Sequence, residues 1–340
     1  MNNTSFFRNR RVLVTGGTGF VGSHLVEELI SLGARVIVLT RSHNPYGYFF
    51  SQQLQTRVLL ALGDIKDGQR VFDIVTKYEI SFIFHLAAQP LVPCAFINPK
   101  ETLETNIMGT VNILEAARKS PWVEGIIVAS SDKAYGKLDR PYTEEDALCG
   151  NHPYEVSKSS ADLIAQTYAA TYDLPVVVTR FGNIYGEGDL NPSRVIPGIL
   201  FSLIRNDEFQ IRSNGMYKRA YVYVKDVVYG YILLAQRISY CKGEAFNFGS
   251  DEIYSVLDLV HLFEEATGYA ISYKILNTAV HEIPEQSLSF EKARKFLSWN
   301  PQKTMWQVAP LLYEWYSAYS GFGEEYKSIS ASSSTIYSIS

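Results

Sequence analysis

Arg11-Val12-Leu13-Val14-Thr15-Gly16-Gly17-Thr18-Gly19-Phe20-Val21-Gly22 decides the fold. A short β-branched run leads into three glycines spaced three apart, Gly16, Gly19 and Gly22, and Ser23 to Ile30 continues with helical periodicity. Glycines at this spacing allow a tight turn, close approach of backbone to a pyrophosphate and tight helix packing, with the helix N-terminus facing the phosphates. A glycine pattern alone is weak evidence. The strand before it and the helix after it supply the context a dinucleotide loop requires, and Phe20 and Val21 belong to the same stretch of cofactor contacts.

Outward from this loop, strand and helix patterns alternate. Ala34 to Thr40 reads as a second strand, ending in Thr40-Arg41-Ser42 where an acid would usually meet the adenosine ribose. Arg41 is either a partner for a 2′-phosphate, which favours NADP over NAD, or a solvated surface arginine. Val58 to Leu62 reads as a third strand, and Asp64 at its tip, followed by Ile65, would meet the cofactor at the adenine edge. Ile80 to Ala88 is a fourth, whose end, Leu86-Ala87-Ala88, lets the backbone approach the cofactor. His85 within it reads as a packed histidine rather than a base. The periodicity of Ile107, Val111, Leu114 and Ala117 predicts one helix from Glu101 to Lys119, and Asn106 in it is a buried structural amide or an active-site spacer. Further strands at Ile126 to Ala129 and Pro175 to Arg180 complete an α/β, Rossmann-like doubly wound parallel sheet.

The strand at Ile126 to Ala129 delivers Ser130-Ser131-Asp132-Lys133 to the end of the sheet where ligands bind. After a turn-rich loop, Tyr154-Glu155-Val156-Ser157-Lys158 opens a second helical pattern, with Tyr154 and Lys158 one turn apart on one face. That arrangement suits proton removal from an alcohol: a phenol titrates near pH 10, and a nearby ammonium is expected to bring it toward working range. A Tyr and a Lys four apart are a common chance pair. The Ser131 strand end and the dinucleotide loop are what turn the pair into a candidate catalytic set.

The chain has 340 residues, enough for one large domain or two modest ones, and its apolar (46%) and charged (19%) fractions are those of a globular protein. A net charge of -4 gives no reason to expect nucleic acid, so phosphate binding must come from local arginines and helix ends. Cys94, Cys149 and Cys241 are odd in number and lack metal-ligand spacing, which predicts free thiols, no metal and a reducing compartment. Met1 to Arg10 is polar apart from Phe6 and Phe7 and does not read as a signal peptide, and no apolar stretch approaches transmembrane length. A cytoplasmic protein without membrane partners is the expectation. The division expected is an N-terminal extension (1–10), an NAD(P)-binding domain (11–185), a mainly substrate-binding lobe interleaved with late sheet elements (186–320) and a disordered tail (321–340). In the lobe, Arg194 or Arg212 would meet a diphosphate or lie in solvent. Arg219 is a further cationic candidate, and most of the tyrosines read as core or pocket wall.

The glycine loop, His85-Leu86-Ala87-Ala88, Ser131, Tyr154, Lys158 and Arg180-Phe181-Gly182-Asn183 together resemble the extended short-chain dehydrogenase/reductase superfamily over residues 10–320. The resemblance implies a tightly held, recycled NAD or NADP, a nucleotide-diphosphate sugar as substrate, and a homodimer formed through the helices at 101–119 and 154–171. It implies Tyr154 as base, Lys158 as its electrostatic partner and ribose ligand, Ser131 as the hydroxyl that orients the sugar, and Arg219 as the better diphosphate ligand. Asp132-Lys133, with Gln89-Pro90-Leu91-Val92 and Gly182-Asn183, resembles the CDP-glucose 4,6-dehydratase branch, which marks Gln89 and Asn183 as substrate contacts. Pro93-Cys94 departs from that branch, where a basic residue usually follows. The expected reaction is therefore a 4,6-dehydration. A 4-epimerase is the alternative, and a cofactor-binding protein that has lost its chemistry is the alternative of another class.

Overall fold

The computed structural model describes residues 5–42, 44–278 and 284–319. The expected tail at 321–340 lies outside the described residues.

The six strands expected between residues 11 and 185 form as β1 (Arg11–Thr15), β2 (Arg35–Thr40), β3 (Leu59–Leu62), β4 (Phe82–His85), β5 (Gly125–Ala129) and β6 (Val176–Phe181). With Ala245–Phe248 they make a seven-stranded sheet in the order Ala245–Phe248, β6, β5, β4, β1, β2, β3. Every pair is parallel. The alternation of side chains builds two apolar layers. Val12, Val14, Val36, Val38 and Phe84 face one, and Leu13, Ile37, Leu39, Ile83 and Val128 face the other. Because β1 lies between β2 and β4, the winding reverses there and opens a crevice at the carboxyl ends of the strands. Phe7, in the stretch expected to be a polar extension, is fully buried and packs edge-on against Phe82 with ring centroids 6.2 Å apart.

One helix departs from its expected form. The continuous helix at 101–119 is instead Pro99–Leu103, a π-helical turn at Glu104–Met108, and Gly109–Arg118. A π turn inserts one residue and rotates the face, which apolar periodicity over a long window does not register. Asn106, within the turn, is buried and bonds two other segments, at Gln89 and Ser157. Gly109 allows the helix to lie close to the sheet: a Cβ there would stand 2.5 Å from Ile65 Cδ1.

Beyond β6 the chain builds a second core around Ile199, Leu200, Tyr223, Phe263, Val308 and Tyr316. Lys218–Tyr223 is its central strand, paired with Asn183–Tyr185, Ile253–Tyr254 and Glu285–Gln286. Ser255 and Thr304 each close a capping box at the start of their helices, Val256–Thr267 and Met305–Ala318. Ala245–Phe248 leaves this region to rejoin the large sheet beside β6. Among the described residues no helix is long and apolar enough to cross a membrane.

Candidate active site

A cleft of about 630 Å³ lies over the carboxyl ends of β1, β4 and β5. Its floor is the glycine loop. Gly16 has φ +71°, and a Cβ on it would stand 2.8 Å from the Ala87 amide, while one on Gly22 would stand 2.1 Å from the Gly16 carbonyl. Gly19 caps the helix Phe20–Ser31 with no side chain on its first amides and no acid in its first turn, so these donors remain for an anion. Gly16, Gly19, Phe20, Val21, Gly22, Thr40, Arg41, Ile65, Leu86, Ala87 and Ala88 all line the cleft. This surface fits a dinucleotide.

The other end of the cleft carries the polar set. Ser131 follows the end of β5 and caps the turn Asp132–Tyr135: Lys133 N donates to Ser131 Oγ at 3.2 Å, and Ser131 Oγ donates to Asp132 Oδ1 at 3.0 Å. Helix Pro153–Tyr172 starts at its proline and presents Tyr154 and Lys158 to the same cleft, one turn apart as expected. Both are buried. Lys158 Nζ donates to the Ala129 carbonyl at 2.9 Å, and burial draws its pKa down to about 8, opposed by Asp162.

The phenol does not follow the electrostatic expectation. Burial pushes Tyr154 up to about 12, and Asp132 adds to the rise. A hydrogen bond with Ser131 and the charge of Arg194 act the other way. The expectation omitted the desolvation of an enclosed phenol, and the Lys158 charge it relied on is not among those that act on Tyr154. His85 is the packed histidine foreseen: it bonds Thr15 Oγ1 at 2.8 Å and Thr110 Oγ1 at 3.0 Å, and burial holds it down to about 3.

Three expected contacts are elsewhere. Gln89, Asp64 and Arg219 do not line the cleft. The Gln89 carboxamide closes on its own turn, donating to the Leu91 carbonyl at 3.2 Å and accepting from Leu91 N at 3.0 Å. Asp64 accepts from Lys66 N at 2.9 Å and lies 3.4 Å from Arg41. The Arg219 guanidinium donates to the Lys218 carbonyl at 2.8 Å. Asn183 and Arg194 do line the cleft, and Arg194 pairs with buried Asp189 at 3.1 Å. Arg41 lies half in solvent, 3.5 Å from Glu101 as well as near Asp64, so it both faces the cleft and holds surface partners.

Several residues of the site had little or no signal in the sequence. Asn106 joins two walls, accepting from Gln89 N at 2.7 Å and donating to Ser157 Oγ at 2.9 Å, which makes it the structural amide of its two readings. Tyr185 and Tyr221 line the cleft, as the abundance of tyrosine suggested in general but not by position. Gln286 accepts a hydrogen bond from Lys133 Nζ across 153 positions of sequence, and nothing local to Glu285-Gln286 announces it. Among the described residues no cluster of His, Cys, Asp and Glu is placed to hold a metal.

A loop and cleft of this kind serve many dinucleotide proteins, and comparison with known proteins narrows the choice. Residues 12–249 match the NAD dependent epimerase/dehydratase family. The chain belongs to that family. It is 30% identical over 342 residues to the CDP-glucose 4,6-dehydratase of Salmonella typhimurium, covering 94% of each. Among solved structures, it is similar to the epimerase Mth375 of Methanothermobacter thermautotrophicus with a TM-score of 0.86, at 28% identity over 98% of this chain and 97% of that one. It is also similar to DesIV, the dTDP-glucose 4,6-dehydratase of Streptomyces venezuelae solved with NAD and TYD bound, with a TM-score of 0.83, at 28% identity over 92% and 99%. The superfamily resemblance drawn from the motifs is thereby borne out, and the chain is an enzyme of this epimerase and dehydratase kind.

Proposed function

We propose that this enzyme is a nucleotide-sugar 4,6-dehydratase that converts CDP-glucose, with GDP-mannose as second candidate, to the 4-keto-6-deoxy sugar. One observation carries the reading. Asp132 and Lys133 line the cleft directly beside Ser131 and Tyr154, with Asp132 buried and Lys133 Nζ 3.9 Å from Asp132 Oδ2, which supports a catalytic pair over a surface ion pair.

Bound in this cleft, NAD or NADP supplies hydride acceptance at the sugar C4 and hydride return at C6. The chain's own groups move the protons. Ser131 orients the C4 hydroxyl and Tyr154 takes its proton, with Lys158 holding positive charge behind it. The C5 proton, made acidic by the neighbouring ketone, goes to Lys133 acting as the neutral amine, Asp132 acting as the acid gives a proton to the C6 hydroxyl as it leaves as water, and Lys133 returns its proton to C5 as hydride adds at C6. Arg194 on the cleft wall supports a diphosphate there; Arg219 remains a candidate only if its guanidinium turns inward. Residues 11–185 are assigned to dinucleotide binding and 186–320 mainly to substrate binding.

For the dinucleotide, the cleft-facing Arg41 supports a 2′-phosphate, whereas its carboxylate neighbours and the NAD in DesIV support NAD. Equilibrium titration with both, repeated on Arg41→Ala, decides: a loss confined to NADP marks the former. The cysteine pattern supports a cytoplasmic setting.

The second reading, a nucleotide-sugar 4-epimerase, needs only Ser131, Tyr154 and Lys158, and the similarity to Mth375 favours retaining it. Two variants separate the readings. Tyr154→Phe should lower every turnover by about 10²–10⁴-fold. Lys133→Ala should still remove hydride from C4, seen as reduced cofactor on mixing with substrate, yet release no water. Dehydration that survives in Lys133→Ala would remove that residue from the mechanism, and inversion at C4 without water loss would support the epimerase. A protein that binds the dinucleotide but turns over no nucleotide sugar would instead be a binding protein.

A further inference from the structure

Lys133 is bonded to more than its neighbour. Its Nζ donates to Gln286 Oε1 and stands 3.9 Å from Asp132 Oδ2. Asp132 is 5% exposed and Gln286 3%. The Lys133 side chain is 26% exposed, so the adjacent ammonium and carboxylate are only partly screened and attract each other. A neutral carboxamide oxygen that accepts from the ammonium competes with that attraction.

Gln286 is fixed from both sides. Glu285–Gln286 runs parallel to Lys218–Arg219. Lys218 N donates to the Pro284 carbonyl at 2.8 Å, and Tyr142 N donates to the Ser287 carbonyl at 3.0 Å. Its Nε2 is buried and makes no hydrogen bond of ordinary length among the described residues. A buried carboxamide whose oxygen is committed to Lys133 and whose amide has only the Tyr142 hydroxyl at longer range is a poor choice for packing alone, since an apolar side chain of similar size avoids the desolvation. The use of Gln286 at this place lies in what its oxygen does to Lys133.

We propose that Gln286 is a positioning residue whose carboxamide oxygen holds the Lys133 amine off Asp132, so that the two neighbours act as separate proton-handling groups. The inference rests on the dehydratase reading above. Around Lys133 the charged and titratable groups are Asp132 on its own turn, Tyr154 beyond the Ser131 hydrogen bond, Tyr142 next to Gln286, and Arg194, whose charge reaches Tyr154. None of these lies on the strand that carries Gln286, whose other residue, Glu285, is exposed, so a change at Gln286 alters one neighbour of the amine at a time.

The test compares Gln286→Leu and Gln286→Glu holoenzymes, each first shown to melt like the wild type. One readout needs no turnover: the pH midpoint at which Lys133 is acetylated by limiting acetic anhydride, read by mass spectrometry. An added carboxylate favours the ammonium, so Gln286→Glu should raise the midpoint by about one pH unit, and Gln286→Leu should raise it as the amine closes on Asp132. The other readout is water loss from CDP-glucose, where kcat should fall about tenfold with KM held within about twofold. Should Gln286→Leu melt early, Gln286→Glu, which keeps the size and shape, carries the comparison. An unmoved labelling midpoint, or a moved midpoint with kcat unchanged, overturns the proposal. If the wild type releases water from no nucleotide sugar while the midpoint still moves, the hold on Lys133 stands and it is the dehydratase reading that falls.

Discussion

Lys158 has its ammonium on the Ala129 carbonyl and its pKa drawn down by burial from 10.5 to about 8. A lysine that is harder to protonate folded than unfolded lowers stability in full below about pH 8, where both states carry the charge. The penalty fades as pH rises toward 10.5. Lys158→Met should therefore be the more stable protein at pH 7 by roughly 2 kcal/mol, after the lost hydrogen bond is deducted, and lose that advantage near pH 10. Urea unfolding of both proteins at the two pH values checks the sign; a variant that is less stable at pH 7 would contradict it. Turnover of the same variant should collapse if Lys158 is the partner of Tyr154 proposed above. At this scale the sequence was informative where spacing sufficed. Tyr154 and Lys158 lie four apart on one helix, so their shared face was legible. The rise of Tyr154 to about 12 was not, because it depends on enclosure by distant segments. The Lys133 to Gln286 contact was hidden for the same reason.

The helix Pro153–Tyr172 is anchored to β6 by a charge pair that no water reaches. Arg180 and Asp162 are 2% and 0% exposed and bond in two places, at 2.8 and 2.9 Å. Arg180 also donates to Tyr135 Oη at 2.7 Å, which donates to Asn247 Oδ1 at 2.7 Å, linking the helix to the turn after β5 and to the last strand of the sheet. Removing one partner leaves the other charge buried, so Asp162→Ala should lose about 3–5 kcal/mol in chemical unfolding. Asp162→Leu combined with Arg180→Met should recover most of it, since replacing both partners by apolar groups of similar volume is often near neutral. A double variant as unstable as the single one would show that the pair matters for more than its own desolvation. Element type was legible from period, as with the strand and the helix on either side of the glycine loop. The π turn at Glu104–Met108 was not, because one inserted residue leaves the apolar count of the helix unchanged.

At the scale of the molecule, alternating strand and helix patterns from residue 11 onward implied a parallel sheet, and short buried strands leave few other solutions. The return of Ala245–Phe248 to that sheet is a long-range pairing, and its neighbour β6 could not be named from local pattern. Helices Gly109–Arg118 and Pro153–Tyr172 pack side by side, and Leu163 and Met108 are 52% and 50% exposed on this part of the surface. If the chain pairs with a copy of itself there, Leu163→Glu should convert a dimer to a monomer in sedimentation velocity while the melting curve of the monomer stays cooperative. A wild type that sediments as a monomer would remove the dimer from the account. Proton NMR shows whether Asp132 and Lys133 turn an oxidising site into a dehydrating one. The purified protein is incubated separately with CDP-glucose, GDP-mannose, UDP-glucose and dTDP-glucose. A 4,6-dehydratase gives a new high-field methyl doublet from C6, first with CDP-glucose. Inversion at C4 with the C6 hydroxymethyl intact would contradict the dehydratase reading and leave Asp132 and Lys133 as a positioning pair.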